Sequence, residues 1–184
     1  MKKLSRRARV ATGGAVIAAV AAGTFGTVSA NASSASSAGA APVANVKSGD
    51  TVTSSRLSVD AAAEAAQAAL DAAEKENEKV TVAVVDRDGN TVVTLRGDGA
   101  GPQSYESAQR KAYTAVSWNA PTSELAKRLA QAPNLKDIPG TLFLAGGTPV
   151  AVKGAPVAGI GVAGAPSGDL DEKFAAAGVA ALGH

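Results

Sequence analysis

Between Val80 and Trp118 the chain reads VTVAVVDRDGNTVVTLRGDGAGPQSYESAQRKAYTAVSW, an order of elements that few folds accept. Val80, Val82 and Val84 alternate with Thr81, Ala83 and Val85, the period-two signature of a strand. Asp88-Gly89-Asn90 supplies residues that tolerate positive φ, so Thr91 to Arg96 is predicted to return as the second arm of a hairpin. Gly97, Gly99, Gly101 and Pro102 then break the strand. Ser104 is positioned to cap a helix whose face repeats Ser107, Lys111, Thr114 and Trp118. This arrangement sets Arg96 and Asp98 on a loop and aims Lys111 and Thr114 out of a neighbouring helix.

Helical periodicity flanks this unit. Ser58 is placed to cap a helix whose buried stripe is Val59, Ala62, Ala66, Ala69, Leu70 and Ala73, with Asp60, Glu64, Gln67, Asp71, Glu74 and Glu78 on the polar face. Pro121 stops the central helix, and Thr122 is expected to cap a short one through Leu125 and Leu129. Pro133 to Gly140 reads as a loop anchored by Leu135 and Ile138. Thr148 to Lys153 and Pro156 to Gly164 read as a second hairpin around Gly154. Asp169 with Glu172 has the spacing of a capping box for a last helix through Phe174, Val179 and Leu182. Two hairpins separated and flanked by helices predict an α+β fold, an antiparallel sheet with helices packed against it.

The N-terminus sets a compartment. Lys2, Lys3, Arg6, Arg7 and Arg9 precede a mildly apolar, glycine-containing stretch from Val10 to Val28, and Ala30-Asn31-Ala32 is a small-residue cleavage site. Paired arginines before a weak apolar core read as a twin-arginine export signal over residues 1–32. Residues 33–56 are Ser/Ala-rich and read as a flexible linker, which leaves 57–184 as one domain. The expected location is therefore secreted, with no membrane insertion after signal removal.

Removing the signal also reverses the charge. The whole chain is +2, but residues 1–32 hold five of its 18 Lys and Arg and none of its 16 acids. The remainder carries 13 cations against 16 acids, a net −3, so nucleic acid is not an expected partner. The chain has no cysteine, which excludes disulfides, zinc-thiolate sites and cysteine nucleophiles. With only six aromatic residues, Ala and Val must fill the core, and part of the apolar burial is expected to come from homo-oligomer contacts.

Several patterns bear on chemistry. Gly159-x-Gly161-x-x-Gly164 matches a dinucleotide fingerprint as text, but Pro166 stands where a helix should open. Glycines admitting close packing within a strand are the better reading. The only histidine is His184, so neither a Ser-His-Asp triad nor a histidine zinc site is supported. Arg96 and Lys111 suit paired carboxylates or another small anion through charge-assisted hydrogen bonds, with Asp98 orienting one of them and Thr114 offering a hydroxyl. Alternatively, Arg96 and Asp98 form a loop ion pair and Lys111 lies on a solvated face. Asp71, Glu74 and Glu78 share a helix face and offer oxygen ligands to a hard cation such as iron, although the same residues complete the regular polar stripe.

These residues also carry a resemblance. A valine strand ending in Asp86, the DGN turn, Arg96-Gly97-Asp98-Gly99-Ala100, Lys111-Ala112-Tyr113-Thr114-Ala115, Gly146-Gly147-Thr148-Pro149-Val150 and Gly159-Ile160-Gly161-Val162-Ala163-Gly164 occur in one order. Over Leu57 to Leu182 the chain resembles the GlcG/HbpS-like family of small haem-binding domains, and its N-terminus is closer to the secreted actinobacterial branch. The resemblance implies a profilin-like single domain, haem as cofactor, iron handling, homo-oligomers and signalling under oxidative stress through a membrane sensor kinase. Haem degradation, an enzymatic activity, is the alternative it implies; a small-anion or organic-acid module without haem is another. On this reading Arg96, Asp98, Lys111 and Thr114 hold the haem. Usual protein ligands to haem iron are His, Cys, Met or Tyr. Tyr105, Tyr113, Lys111, a threonine hydroxyl or His184 are what the chain offers, with Tyr105 a candidate for direct ligation of the iron.

Overall fold

The computed structural model describes residues 43–183. The expected export signal (1–32), the first part of the expected linker and His184 lie outside the described residues. The chain divides between Val46 and Lys47, and every element below belongs to the part from Lys47 onward. Among the described residues no helix is long and apolar enough to cross a membrane.

The elements follow as α1 (Val59–Lys75), β1 (Thr81–Asp86), β2 (Thr91–Arg96), α2 (Pro102–Trp118), α3 (Thr122–Arg128), β3 (Gly147–Val152), β4 (Ala155–Ala163) and α4 (Gly168–Ala181), with 3₁₀ turns at Ser48–Asp50 and Pro133–Asp137. The two hairpins join into one antiparallel sheet of order β2-β1-β4-β3. This is the α+β fold expected. Lys153 and Gly154, at φ 52° and 82°, make the tight turn of the second hairpin.

The sheet order buries β1 throughout. Paired with β2 on one side and β4 on the other, it is central, and all six of its residues are buried. Val80, Val82 and Val84 face α1 and α4 in the main core, where Phe174 is fully buried. Ala83 and Val85 face α2, against Ala108 and Ala112. Both faces are apolar because helices cover both, so alternation there separates two cores rather than core from solvent.

Small residues set the closeness of α2 to the sheet. A methyl group on Gly161 would come 2.1 Å from the Ala108 carbonyl oxygen, and one on Gly159 would come 2.2 Å from that of Ala112. The strand glycines are therefore the close-packing residues expected, and the helix backbone rests directly on β4.

Several helix ends differ from expectation. Ser58 caps α1 through the Ala61 N–H, as predicted, but Val59 is 61% exposed and Ala65 takes its place in the buried stripe. Gly101, with Pro102 behind it, starts α2; Ser104 lies inside the helix, its hydroxyl paired with Thr81 Oγ1 at 2.7 Å and the Gly101 carbonyl at 2.6 Å. Ser167, not Asp169, caps α4 through the Leu170 N–H. Glu172 is thereby released, and its carboxylate accepts from Ser123 N–H, the Ser123 hydroxyl and Gly146 N–H. That carboxylate serves the first turn of α3, the role expected of Thr122. Each true cap depends on where the chain enters the helix, and tertiary packing decides that.

Candidate functional site

Arg96 closes β2. Its Nε and Nη2 both donate to the Ala100 carbonyl, at 3.2 and 2.5 Å, and clasp the loop between β2 and α2. Asp98 lies exposed in this loop and forms no ion pair with Arg96. It instead lines a cavity of about 280 Å³ with Glu74, Asn77, Glu78 and Lys79. Two of the three carboxylates predicted for a metal thus meet a residue predicted for haem. The third, Asp71, is exposed and accepts from Gln67 Nε2 at 2.7 Å. Among the described residues no group of three or more Asp, Glu, His or Cys is gathered tightly enough to hold a metal ion.

Lys111 and Thr114 face the interior instead. α2 lies over β4, which buries Lys111 beneath the start of β3. Its ammonium donates to Asp171 Oδ2 at 2.7 Å and to the Val162 carbonyl at 3.0 Å. The pair is almost dry, with side chains 6% and 5% exposed. Burial pushes the Asp171 carboxyl above its ordinary range, against the lowering pull of Lys111 and of the Ala165 N–H it also accepts. Thr114 is fully buried; its hydroxyl donates to the Arg110 carbonyl at 2.7 Å and accepts from the Leu142 N–H at 2.8 Å. Neither side chain is the solvated group that the sequence offered. Arg96 pairs with Thr81 on β1, and β1 pairs with β4, so two strand spacings, about 10 Å, separate the Arg96 backbone from the strand that Lys111 contacts. The four residues expected to converge do not.

What the fold brings together lies on the other side of α2. The helix covers β4 and β1 but not the outer strand β2. Thr91, Thr94 and Arg96, opposite Val85, Ala83 and Thr81, share the face turned towards α2. Among the described residues Gln109 hydrogen-bonds across, its Nε2 3.5 Å from Thr94 Oγ1. A cavity of about 280 Å³ lies here, lined by Val85, Gly89, Thr91, Gln109, Arg110, Tyr113 and Gly140. Tyr113 packs on Val85, Ala112 and Val116. Its two ring edges run beside Gly89 and Gly140, both at positive φ; a methyl group at Gly89 would come 2.9 Å from the ring. Arg110 is held by the Thr141 carbonyl at 2.9 Å and lies 3.7 Å from Glu106. Tyr105, 47% exposed, shares this side of α2 one turn before Gln109. Sequence reasoning missed Gln109 and Arg110; the four-residue spacing of Tyr105, Gln109 and Tyr113 was the signal that could have found this face.

Asp86 organises the turn beside this cavity. Burial alone would raise its carboxyl, but hydrogen bonds from the Asn90 N–H and side chain and the Asp88 N–H, with Arg56 nearby, outweigh it and hold the group below its ordinary range. Arg56, the last residue of the expected linker, bridges Asp86 and Asp88.

The HbpS-like family model, described as haem-degrading protein HbpS-like, matches residues 57–180. HbpS of Streptomyces reticuli, solved as a double Glu-to-Asp mutant, is 75% identical; the match covers 79% of this chain and 99% of that one, with a TM-score of 0.77. PduOC, solved as a haem complex, is 27% identical over 69% of this chain and 95% of that one, with a TM-score of 0.63. ORFY of Klebsiella pneumoniae, 24% identical over 77% of this chain and 98% of its own, shares the fold with a TM-score of 0.69. A comparison with curated proteins found no match. With nearly the whole domain from Leu57 matched, and the sheet and helices shared with solved members, the chain belongs to the HbpS-like family of haem-degrading proteins.

Proposed function

We propose that this chain is an exported haem-binding protein that handles haem and iron outside the membrane. The family match over residues 57–180 carries the reading. The cavity between β2 and α2 supports the reading with an apolar wall at Val85 and Tyr113 beside the Arg110 guanidinium, which Thr141 and Glu106 hold in place. Such a site offers a flat apolar contact and a partner for an acidic edge. When bound, haem supplies a redox-active iron; the protein supplies the surface, the charge and the ligand. The test is a titration of ferric haem into the protein without its signal. A shifted Soret band that saturates at a fixed stoichiometry is expected, and a spectrum equal to that of free haem would overturn the reading.

Haem degradation is the second reading, favoured by the family description. It predicts that the Soret band decays with peroxide or reductant faster than that of free haem. Iron is proposed here only as the metal of haem, because Glu74 and Glu78 line the acidic cavity with Asp98 without converging on a metal site, and Asp71 stands outside it. Ferrous-iron calorimetry on the wild type and on Glu74→Gln, Glu78→Gln should show no difference. The short, few-stranded sheet has β2 and β3 as open edges, which supports a homo-oligomer. Light scattering on residues 57–184 tests this, and a monomer at micromolar concentration would contradict it. Signalling through a membrane sensor kinase completes the proposal; it requires the signal over residues 1–32 to export the domain.

A further inference from the structure

We infer that Lys111 and Asp171 form a second site, where the Lys111 amine captures a small neutral aldehyde as an imine and Asp171 moves the protons. The site shares no lining residue with the cavity beside β2 and does not depend on haem.

Three observations carry it. The first is a cavity. A space of about 400 Å³ lies between Leu144-Ala145 and the chain entering α4, and both members of the buried pair line it. The second is the nitrogen. An ammonium has three protons; two go to Asp171 Oδ2 and the Val162 carbonyl, and the third has no acceptor among the described residues. Gly146, at φ 130°, keeps the space against it clear, since a methyl group there would come 2.6 Å from Nζ. Desolvation favours the neutral amine, and lysines in such surroundings are the ones that form Schiff bases. The third is that packing gives no reason for charge here. Apolar side chains of similar volume replace a buried pair at little net cost, yet this pair stands in the wall of a cavity.

The wall sets the class of ligand. Leu144, Ala145 and Pro166 are apolar, and Asp169 adds a carboxylate that disfavours an acid. The volume is at the low end for small-molecule sites and suits a compact aldehyde. Asp171 takes a proton from the ammonium, and its raised carboxyl suits that task. The freed nitrogen pair attacks the carbonyl carbon, the carbon–oxygen π pair moves to oxygen, and Asp171 returns the proton there. A second nitrogen proton passes through Asp171 to the hydroxyl, which leaves as water while the nitrogen pair closes the C=N bond. A protonated imine then faces the Asp171 carboxylate, so the pair keeps its charges and nothing is oxidised or reduced.

The protein is incubated with one equivalent of benzaldehyde and with cyanoborohydride, which reduces an imine to a stable amine, and the labelled lysines are located by peptide mass mapping. Lys111 should carry most of the label, although Lys47 and Lys153 are exposed and Lys111 is buried. In the Lys111→Met, Asp171→Leu variant, labelling should fall to the background of the exposed lysines. Asp171→Asn, first checked by thermal unfolding, should label Lys111 about a hundredfold more slowly. Benzaldehyde should outpace 4-carboxybenzaldehyde at Lys111. Label confined to exposed lysines overturns the inference whether or not Asp171→Asn folds. Equal rates at Lys111 in the wild type and a folded Asp171→Asn overturn the role of Asp171, and faster labelling by 4-carboxybenzaldehyde overturns the neutral class of ligand.

Discussion

Replacing Asp171 with Ala should be among the most damaging single changes in this domain. The substitution strands the Lys111 ammonium, 6% exposed, with only the Val162 carbonyl as acceptor. It also removes the acceptor of the Ala165 N–H. Breaking a buried pair from one side costs about 3–5 kcal/mol, and the orphaned N–H adds about 1 kcal/mol. Asp171→Asn keeps one acceptor oxygen where the carboxylate offers Oδ2 to Lys111 and Oδ1 to the Ala165 N–H, so one donor stays unpaired and the cost should fall below that of Asp171→Ala. The double variant Lys111→Met, Asp171→Leu should recover most of the loss, because apolar groups of similar volume replace a buried pair at little net cost. Urea unfolding of residues 57–184 measures all four proteins; unchanged m-values keep the comparison within one unfolding transition. A loss below about 1 kcal/mol for Asp171→Ala, with normal m, would refute the account of the pair as the clamp between α2, β4 and α4. A double variant as unstable as the single would show that shape, and not the stranded charge, sets the cost.

Gly161→Ala should destabilise by at least about 1–3 kcal/mol, since its methyl group would meet the Ala108 carbonyl at 2.1 Å and neither backbone can yield; a neutral result in urea would mean that α2 can lift from the sheet. Asp86 is held low, so it contributes stability above its unfolded pKa of about 4, and this is lost as pH falls through the lower folded value; Asp86→Asn should flatten that acid limb of a stability–pH profile. Replacing Arg6 and Arg7 with Lys should block export, and undiminished secretion would show that another route is used.

Much of the fold was legible locally. Ser58, the break after Arg96, the Lys153-Gly154 turn and the strand glycines act on residues close in the chain or on their own backbone, so type and spacing reveal them. The helix caps at Gly101 and Ser167 were misread because several nearby residues could serve, and the entry path of the chain chose among them.

The site was less legible, for a different reason. Helical spacing placed Lys111 and Thr114 on one side of α2 but could not say which side the sheet would cover. That was decided when β4 inserted between β1 and β3 and Asp171, sixty residues after Lys111, arrived to neutralise it. The same placement of α2 over β4 and β1 left β2 uncovered and turned Gln109, Arg110 and Tyr113 towards a cavity. From its sequence alone, then, this protein's family and its alternation of hairpins and helices were determined, because these depend on residue types and short spacings. Which charges are spent inside and which remain for a ligand was decided by the tertiary structure, because burial and pairing depend on elements far apart in the chain.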